Sequence, residues 1–251
     1  MGIFKKKPSE NAQKMIEFLG CKCEYFPAAK SSKPLRAAYE DAYGKRNLSG
    51  TFPLIVVVDD VLAEWLDILE SDEFREGETP ADYRKRLLEA PMINPVKWFS
   101  DSISELKESY DEEEWNEMVG DFTASPPNNS FSGFENYDGS SREAVLAHIP
   151  AENPWELLAW MPFGGWNDCP EPTIMLSVAR YWYERYRAVP AVISHDTLEF
   201  AAQPLPDSGA AAAAALEQYA FCADIVEQGC EHIGILAGAL LNSTVWYFWW
   251  D

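Results

Sequence analysis

The sequence predicts an α+β protein, and three observations lead to that class. The chain has 251 residues, 47% of them hydrophobic, which is long enough and apolar enough to form a core. A run rich in β-branched residues at 52–58 indicates a buried strand, and helical spacing of apolar residues recurs elsewhere. We expect a smaller strand–helix N-terminal region and a mixed α/β C-terminal domain with a central C-terminal strand.

The N-terminal half is predicted to alternate strands with capped helices. Thr79 and Pro80 are typical of a helix start, and Asp82 suits its first turn. Ser102 and Glu105 have the spacing of a capping box partway along a long helix. The predicted strands cover 21–26 and 52–58, and the predicted helices cover 10–19, 34–43 and 94–119, with two more starting at 59 and 79.

Residues 121–141 are rich in Ser, Asn, Pro and Gly, which is typical of a loop or linker. This segment predicts an N-terminal α/β region over 1–120 and a C-terminal domain over 142–251. In that domain both faces of the strand at 245–250 are apolar, which favours a central position. The other predicted elements are strands over 189–194 and 198–203 and helices over 172–187, 208–221 and 224–241, the last broken at Gly229.

The net charge of −21 excludes some partners and favours others. Nucleic-acid binding needs clustered Lys and Arg, and these are concentrated in the first fifty residues, so we expect no nucleic-acid partner. An acidic surface attracts a basic protein instead. No stretch is long enough to span a membrane, and the oligomeric state is left open.

The five cysteines and the N-terminus indicate a cytoplasmic protein. Lys5, Lys6 and Lys7 are followed by Pro8 rather than by an apolar segment, so no signal peptide is predicted. An odd number of cysteines without a secretion signal favours reduced thiols. No cofactor is expected.

Two segments carry a resemblance to a known family. These are PFGGWNDCP at 162–170 and VWYFWWD at 245–251, supported by shorter pieces at 181–182, 195–199, 217–219 and 224–229. Roughly residues 150–251 resemble the bacterial domain-of-unknown-function 4253 family. The family supplies no established activity, so the resemblance implies a domain and leaves its function open.

Several constellations suggest chemistry but have simpler interpretations. The spacing of Cys21 and Cys23, or of Cys222, Cys230 and His232, does not fit a structural zinc site. The pair His195-Asp196 suits a turn better than a metal phosphohydrolase site. A Cys169 nucleophile needs a neighbouring base, which His148 or His195 would have to supply.

Glycines and carboxylates in two further segments also have structural interpretations. Gly164 and Gly165 favour positive φ or close backbone approach over nucleotide binding, because no P-loop or dinucleotide fingerprint accompanies them. Asp59 and Asp60 follow a buried strand, where α/β folds place ligand carboxylates, but a helix cap is preferred.

One set of residues mixes carboxylates, amides and an indole in a region poor in Lys and Arg. Such a set can hold a ligand or a hard metal ion, or divide acid and base roles between carboxylates. The alternative is that each residue caps a helix or turn, or belongs to the core. The set consists of Trp166, Asn167, Asp168, Asp196, Glu199, Glu217, Gln228 and Asp251.

Two hypotheses for function follow, with a purely structural scaffold as a third, and whether the chain is an enzyme stays open. The first is an acidic interaction protein that neutralises a basic protein, as an immunity protein binds a toxin. The second is a small enzyme, or a metal- or metabolite-binding module, built around the carboxylates and Trp166.

Overall fold

The computed structural model describes residues 7–71 and 78–251, which form two compact units. The first unit comprises the described residues up to Ala90 with Ser132–Phe163 and Ala191–His195, and the second comprises Pro91–Phe131, Gly164–Pro190 and Asp196–Asp251. This division differs from the predicted 1–120, 121–141 and 142–251. Each unit is interleaved in sequence because segments far apart along the chain pack around the same core.

The first unit contains a mixed β-sheet with the strand order β1-β3-β2-β4. Strand β3 is antiparallel to both β1 and β2, whereas β4 runs parallel to β2. The α+β class is therefore confirmed. The strands are β1 (Lys22–Phe26), β2 (Phe52–Val57), β3 (Ala144–Ile149) and β4 (Val189–Ile193), whose residues 191–193 belong to this unit.

Strand β2 lies between β3 and β4, and both of its faces are covered. Leu54, Ile55, Val56 and Val57 have no exposed surface, as the continuous apolar run predicts. Its neighbour β3 was not predicted, although five of its six residues are apolar. Hydrogen bonds to β1 on one side and β2 on the other hold β3 in the sheet.

The helices of the first unit begin and end at recognisable caps. Thr79 and Asp82 form the reciprocal capping box of α4, which confirms that predicted helix start. The prediction that α2 ends at Gly44 is wrong, since the helix continues to Gly50, which takes the left-handed conformation. The helices are α1 (Glu10–Leu19), α2 (Lys33–Ser49), α3 (Asp60–Ser71) and α4 (Pro80–Glu89), with a 3₁₀ helix at Pro154–Trp160.

The second unit joins five α-helices and one π-helix to a two-stranded antiparallel ribbon. Strand β5 pairs with β6 in the register Glu199 to Tyr247. The elements are α5 (Pro95–Lys107), α6 (Glu112–Val119), α7 (Pro172–Tyr186), β5 (Thr197–Ala201), α8 (Ser208–Phe221), a π-helix (Ile225–Cys230), α9 (Ile233–Leu240) and β6 (Val245–Trp249).

The closing strand β6 is an edge strand, so the prediction of a central C-terminal strand is wrong. Trp246 and Phe248 are completely buried, whereas Tyr247 on the other face is 37% exposed. Within the part of the chain that the structure describes, β5 is its one paired strand. Its aromatic character therefore reflects a single thick core on one face.

The long helix predicted over 94–119 is two helices. Asp111 accepts hydrogen bonds from the main-chain N–H groups of Glu113 and Glu114 and so starts α6. Asn94 caps α5, and α5 runs through Ser102 without a new start there. The helix predicted over 224–241 is also divided, and His232 rather than Gly229 marks the start of α9.

Residues 121–131, at the start of the predicted linker, pack closely against α9. A Cβ atom on Gly234 would lie 2.0 Å from the carbonyl oxygen of Asp121, and one on Gly238 would lie 1.8 Å from that of Thr123. Glycines on this face of α9 therefore let the segment run directly over the helix. No helix in the described part of the chain is both long and apolar enough to cross a membrane.

Candidate functional site

A cleft of about 380 Å³ opens in the second unit. Its apolar surface includes the side chains of Trp98 and Phe221, whose rings meet edge to face. Lys, Arg and His are absent from the described residues that line it. The carboxylates in the lining are Glu105, Asp168, Asp224 and Glu227. The cleft is therefore concave, partly aromatic and strongly acidic.

Helix α5 supplies one wall of the cleft. Trp98, Ser102, Glu105 and Leu106 recur at helical spacing and therefore share one face. The buried Phe99 anchors α5 by stacking on Trp182. Phe99 therefore holds one side of α5 in the core, and the side that carries Glu105 lines the cleft.

Another part of the cleft lining comes from the end of α8 and from the π-helix. Glu227 accepts hydrogen bonds from the hydroxyl groups of Tyr110, at 2.8 Å, and Tyr219, at 2.7 Å. Burial raises the pKa of both tyrosines, so both remain protonated donors at neutral pH. Glu227 is thereby held at a fixed position. Such π-helical turns occur frequently at functional sites.

Asp224 is the centre of a hydrogen-bonded cluster beside the cleft. Its carboxylate accepts from Gln228 Nε2 at 2.8 Å and from the main-chain N–H of Asp251 at 3.1 Å. Asn167 Nδ2 in turn donates to the main-chain oxygen of Asp251 at 2.7 Å. Three of the predicted site residues, Asn167, Gln228 and Asp251, are thus brought together by Asp224, which the sequence analysis treated only as the start of a helix.

A strained turn presents Asp168 to the cleft. Gly164 and Gly165 have φ values of 98° and 81°, which confirms the positive φ predicted for both. A Cβ atom on Gly164 would lie 2.4 Å from the carbonyl oxygen of Pro170. Asn167 also has a positive φ, 44°, which is uncommon for a residue other than glycine. Strain of this kind is concentrated at functional sites.

Asp168 is the predicted residue that lines the cleft, and the remaining predicted residues lie outside its lining. Asp196 holds the end of β6, because its main-chain oxygen accepts from the N–H of Trp250 at 3.1 Å. Glu199 is fully buried on β5, and Trp166 is half-buried in the turn before Asp168. These three residues support the surrounding structure.

Glu217 belongs to a separate, structural network. It accepts hydrogen bonds from Tyr181 at 2.8 Å, Trp182 at 3.0 Å and Tyr186 at 3.3 Å, all on α7. Burial raises the pKa of its carboxyl group despite these donors. The carboxylate therefore joins α8 to α7.

We expect Glu217→Gln to change how stability depends on pH. Because the pKa of Glu217 is raised above 4.5 on folding, its protonated form stabilises the fold below that pH. This contribution is lost as the pH rises through the folded-state pKa. Glutamine has no proton to lose, so the stability of the variant relative to that of the wild type should increase as the pH rises through the folded-state pKa of Glu217.

Urea unfolding at several pH values measures this difference. Glu64→Gln is the control, because Glu64 is exposed and the same chemical change there should leave the pH dependence almost unaltered. A difference between Glu217→Gln and the wild type that does not vary with pH would contradict the assignment.

The structure also bears on the cysteine and metal alternatives. Cys169 is buried, and burial raises the pKa of its thiol, which opposes a nucleophilic role. Within residues 7–71 and 78–251, no three His, Cys, Asp or Glu side chains are grouped so as to hold a metal ion.

In the first unit, Asp59 and His195 meet at the carboxyl ends of the parallel strands β2 and β4. Asp59 caps α3 through the N–H of Leu62 at 2.7 Å, which confirms the preferred interpretation of that residue. Its other carboxylate oxygen lies 3.1 Å from His195 Nδ1 and 3.5 Å from a guanidinium nitrogen of Arg142. No local pattern indicated this contact, because 136 residues separate the aspartate from the histidine.

The fold and the cleft together define an α+β protein whose second unit carries an acidic, aromatic-lined surface. Residues 145–251 match the family model described as Domain of unknown function (DUF4253). The resemblance seen in the sequence is thereby confirmed for the C-terminal region. No curated protein and no solved structure matches the chain.

Proposed function

We propose that this is a cytoplasmic interaction protein that binds a basic protein partner through the acidic cleft, as an immunity protein binds a toxin. The observation that carries the proposal is the lining of the cleft, where four carboxylates accompany Trp98 without a neighbouring cation among the described lining residues. A Lys or Arg side chain that enters the cleft can contact a carboxylate and the ring of Trp98 at the same time.

Charge and aromatic contact contribute in different ways. The net charge of −21 attracts a basic partner at a distance and raises the association rate. The indole of Trp98 adds a cation–π contact, which is worth about 0.5–2 kcal/mol depending on desolvation. The fixed position of Glu227 between Tyr110 and Tyr219 reduces the reorganisation that binding requires.

Binding of a basic partner should weaken when two cleft charges are removed. In the double variant Glu105→Gln/Asp168→Asn, we expect affinity to fall about tenfold or more, since close charge pairs at interfaces contribute more than about 1.4 kcal/mol. Both side chains are exposed, so the fold should be retained. The measurement is fluorescence anisotropy with a labelled hexa-arginine peptide, together with quantitative capture of basic proteins from a bacterial lysate.

The matched control is Glu64→Gln/Glu117→Gln, which removes two exposed charges outside the cleft lining. The control variant should retain most of the binding. Added salt should weaken the binding of the wild type and of the control variant, whereas it should have little effect on the cleft variant, whose binding is already weak. Equal losses in the cleft and control variants would mean that only net charge matters and would overturn the proposal. Salt-resistant capture by all variants would overturn it as well.

A further inference from the structure

Two thiols lie side by side in the first unit. Cys21 immediately precedes β1 and Cys23 is its second residue, so their side chains project from the same face of the strand. Both are half-buried, and neither is in a disulfide. Their partial exposure leaves both thiols accessible to a small reactant.

A guanidinium group is fixed next to this pair. Arg84 Nη1 donates to the carbonyl oxygen of Phe18 at 3.0 Å, and the guanidinium lies 4.4 Å from the centroid of a Trp160 ring. Arg84 Nη2 lies 3.8 Å from the position that a Cβ atom would take on Gly20, the residue before Cys21. A positive charge therefore adjoins the first thiol.

The two thiols are not equivalent. A hydrogen bond from Cys23 lowers the pKa of Cys21, and the charge of Arg84 lowers it further against the effect of burial. The same hydrogen bond, with burial, raises the pKa of Cys23. At a given pH Cys21 is therefore more often a thiolate than Cys23 is. Cys23 keeps its proton and can act as the second nucleophile.

The remaining cysteines differ, because burial is the largest influence on each thiol. Cys169 and Cys222 are buried, and burial raises the pKa of both thiols. Cys230 is half-buried like Cys21, but burial raises its pKa as well. Cys230 therefore provides an internal comparison of similar exposure, and within residues 7–71 and 78–251 neither a cation nor a second thiol shifts its pKa.

We propose that Cys21 and Cys23 form a reversible redox pair that reacts with low-molecular-weight disulfides. The Cys21 thiolate attacks one sulfur of the disulfide, forms a mixed disulfide and releases the first thiolate. The Cys23 thiol then loses its proton and attacks the Cys21 sulfur, which forms the Cys21–Cys23 bond and releases the second thiolate. Two electrons and two protons pass from the cysteines to the small disulfide, which leaves as two thiols.

The spacing of the pair suits a switch better than a permanent crosslink. Cα atoms two residues apart on a strand are about 6.6–6.8 Å apart, at the upper end of the roughly 4.4–6.8 Å range of disulfides. The closed form is consequently strained and readily reduced. Its closure would bend β1 at Lys22, which pairs with His148 of β3.

Intact-mass analysis after incubation in glutathione redox buffers tests the proposal. We expect wild-type protein to become lighter by two hydrogen atoms and to return to its original mass with dithiothreitol. Peptide mapping should place the bond between Cys21 and Cys23. Cys23→Ser should accumulate a glutathione adduct at Cys21, and Cys21→Ser should not form the internal bond. A glutathione adduct on wild-type Cys21 that is never resolved would overturn the proposal.

Alkylation rates provide a second readout that does not depend on disulfide formation. With iodoacetamide, Cys21 should react faster than Cys230 at neutral pH. As the pH is raised, the rate at Cys21 should reach its maximum at a lower pH than the rate at Cys230 does. Arg84→Gln should slow the reaction of Cys21, and Arg84→Lys should restore part of it. Equal rates at Cys21 and Cys230 at every pH would show that Cys21 is not activated.

Discussion

Replacing Gly238 with alanine is expected to lower the free energy of unfolding by about 3 kcal/mol or more, because its new methyl group would collide with the main chain. The Cβ atom would lie 1.8 Å from the carbonyl oxygen of Thr123. A flexible side chain could move away, but here the obstacle is backbone. The segment from Asp121 to Ala124 would have to separate from α9, and with it part of the packing of the second unit.

Urea unfolding followed by circular dichroism measures this effect. The matched control is Gly44→Ala, the same substitution inside α2, where a Cβ atom would meet nothing within 4 Å. That variant should be more stable than the wild type by up to about 1 kcal/mol, since alanine is the better helix former. If both variants have the same urea midpoint of unfolding as the wild type, the close packing of residues 121–124 against α9 is wrong.

The same segment shows what composition can and cannot predict. Its Ser, Asn, Pro and Gly content correctly indicated irregular structure over 121–141. It gave no sign that the segment packs, since the evidence for packing lies more than 100 residues away, in Gly234 and Gly238. Composition describes a segment alone, whereas its burial depends on the partner against which it folds.

Local signals were more reliable than long-range ones. The helix start at Thr79 and Pro80 depends on adjacent residues and was predicted correctly, although the capping box was expected at Ser102 and Glu105 rather than at Thr79 and Asp82. The central position of β2 followed from its uninterrupted apolar run. The same argument failed for β6, because aromatic residues on both faces of a strand also occur where one face covers a large core and the other is partly exposed.

The candidate site was predicted in part for the same reason. Asn167, Gln228 and Asp251 were selected for their chemical type and do come together, but their common partner Asp224 was not selected. Glu217 was selected equally and lies in a different network. Residue type identifies groups that are able to bind a ligand, and only the fold decides which of them share a surface.

The second large effect is expected at Trp182, the centre of the core of the second unit. This side chain is completely buried, and its ring stacks on Phe248 at 5.4 Å and meets Trp246 edge to face at 5.5 Å. Its Nε1–H also donates to Glu217. Trp182→Ala removes the ring and the donor together, so we expect a loss of about 3–5 kcal/mol in the free energy of unfolding.

Trp182→Phe separates the two contributions, because it keeps most of the aromatic contact and removes only the indole and its N–H. We expect a smaller loss of about 1–3 kcal/mol, which reflects a smaller ring and a buried carboxylate with one donor fewer. Circular dichroism is the appropriate probe, since fluorescence would change with the tryptophan itself. Equal losses in both variants would assign the stability to the hydrogen bond with Glu217, whereas a loss below about 1 kcal/mol in Trp182→Ala would contradict the central position of this ring. The expected order follows from the physical difference between the two terms: burying a large ring removes apolar surface from water, while the hydrogen bond replaces one already made with water.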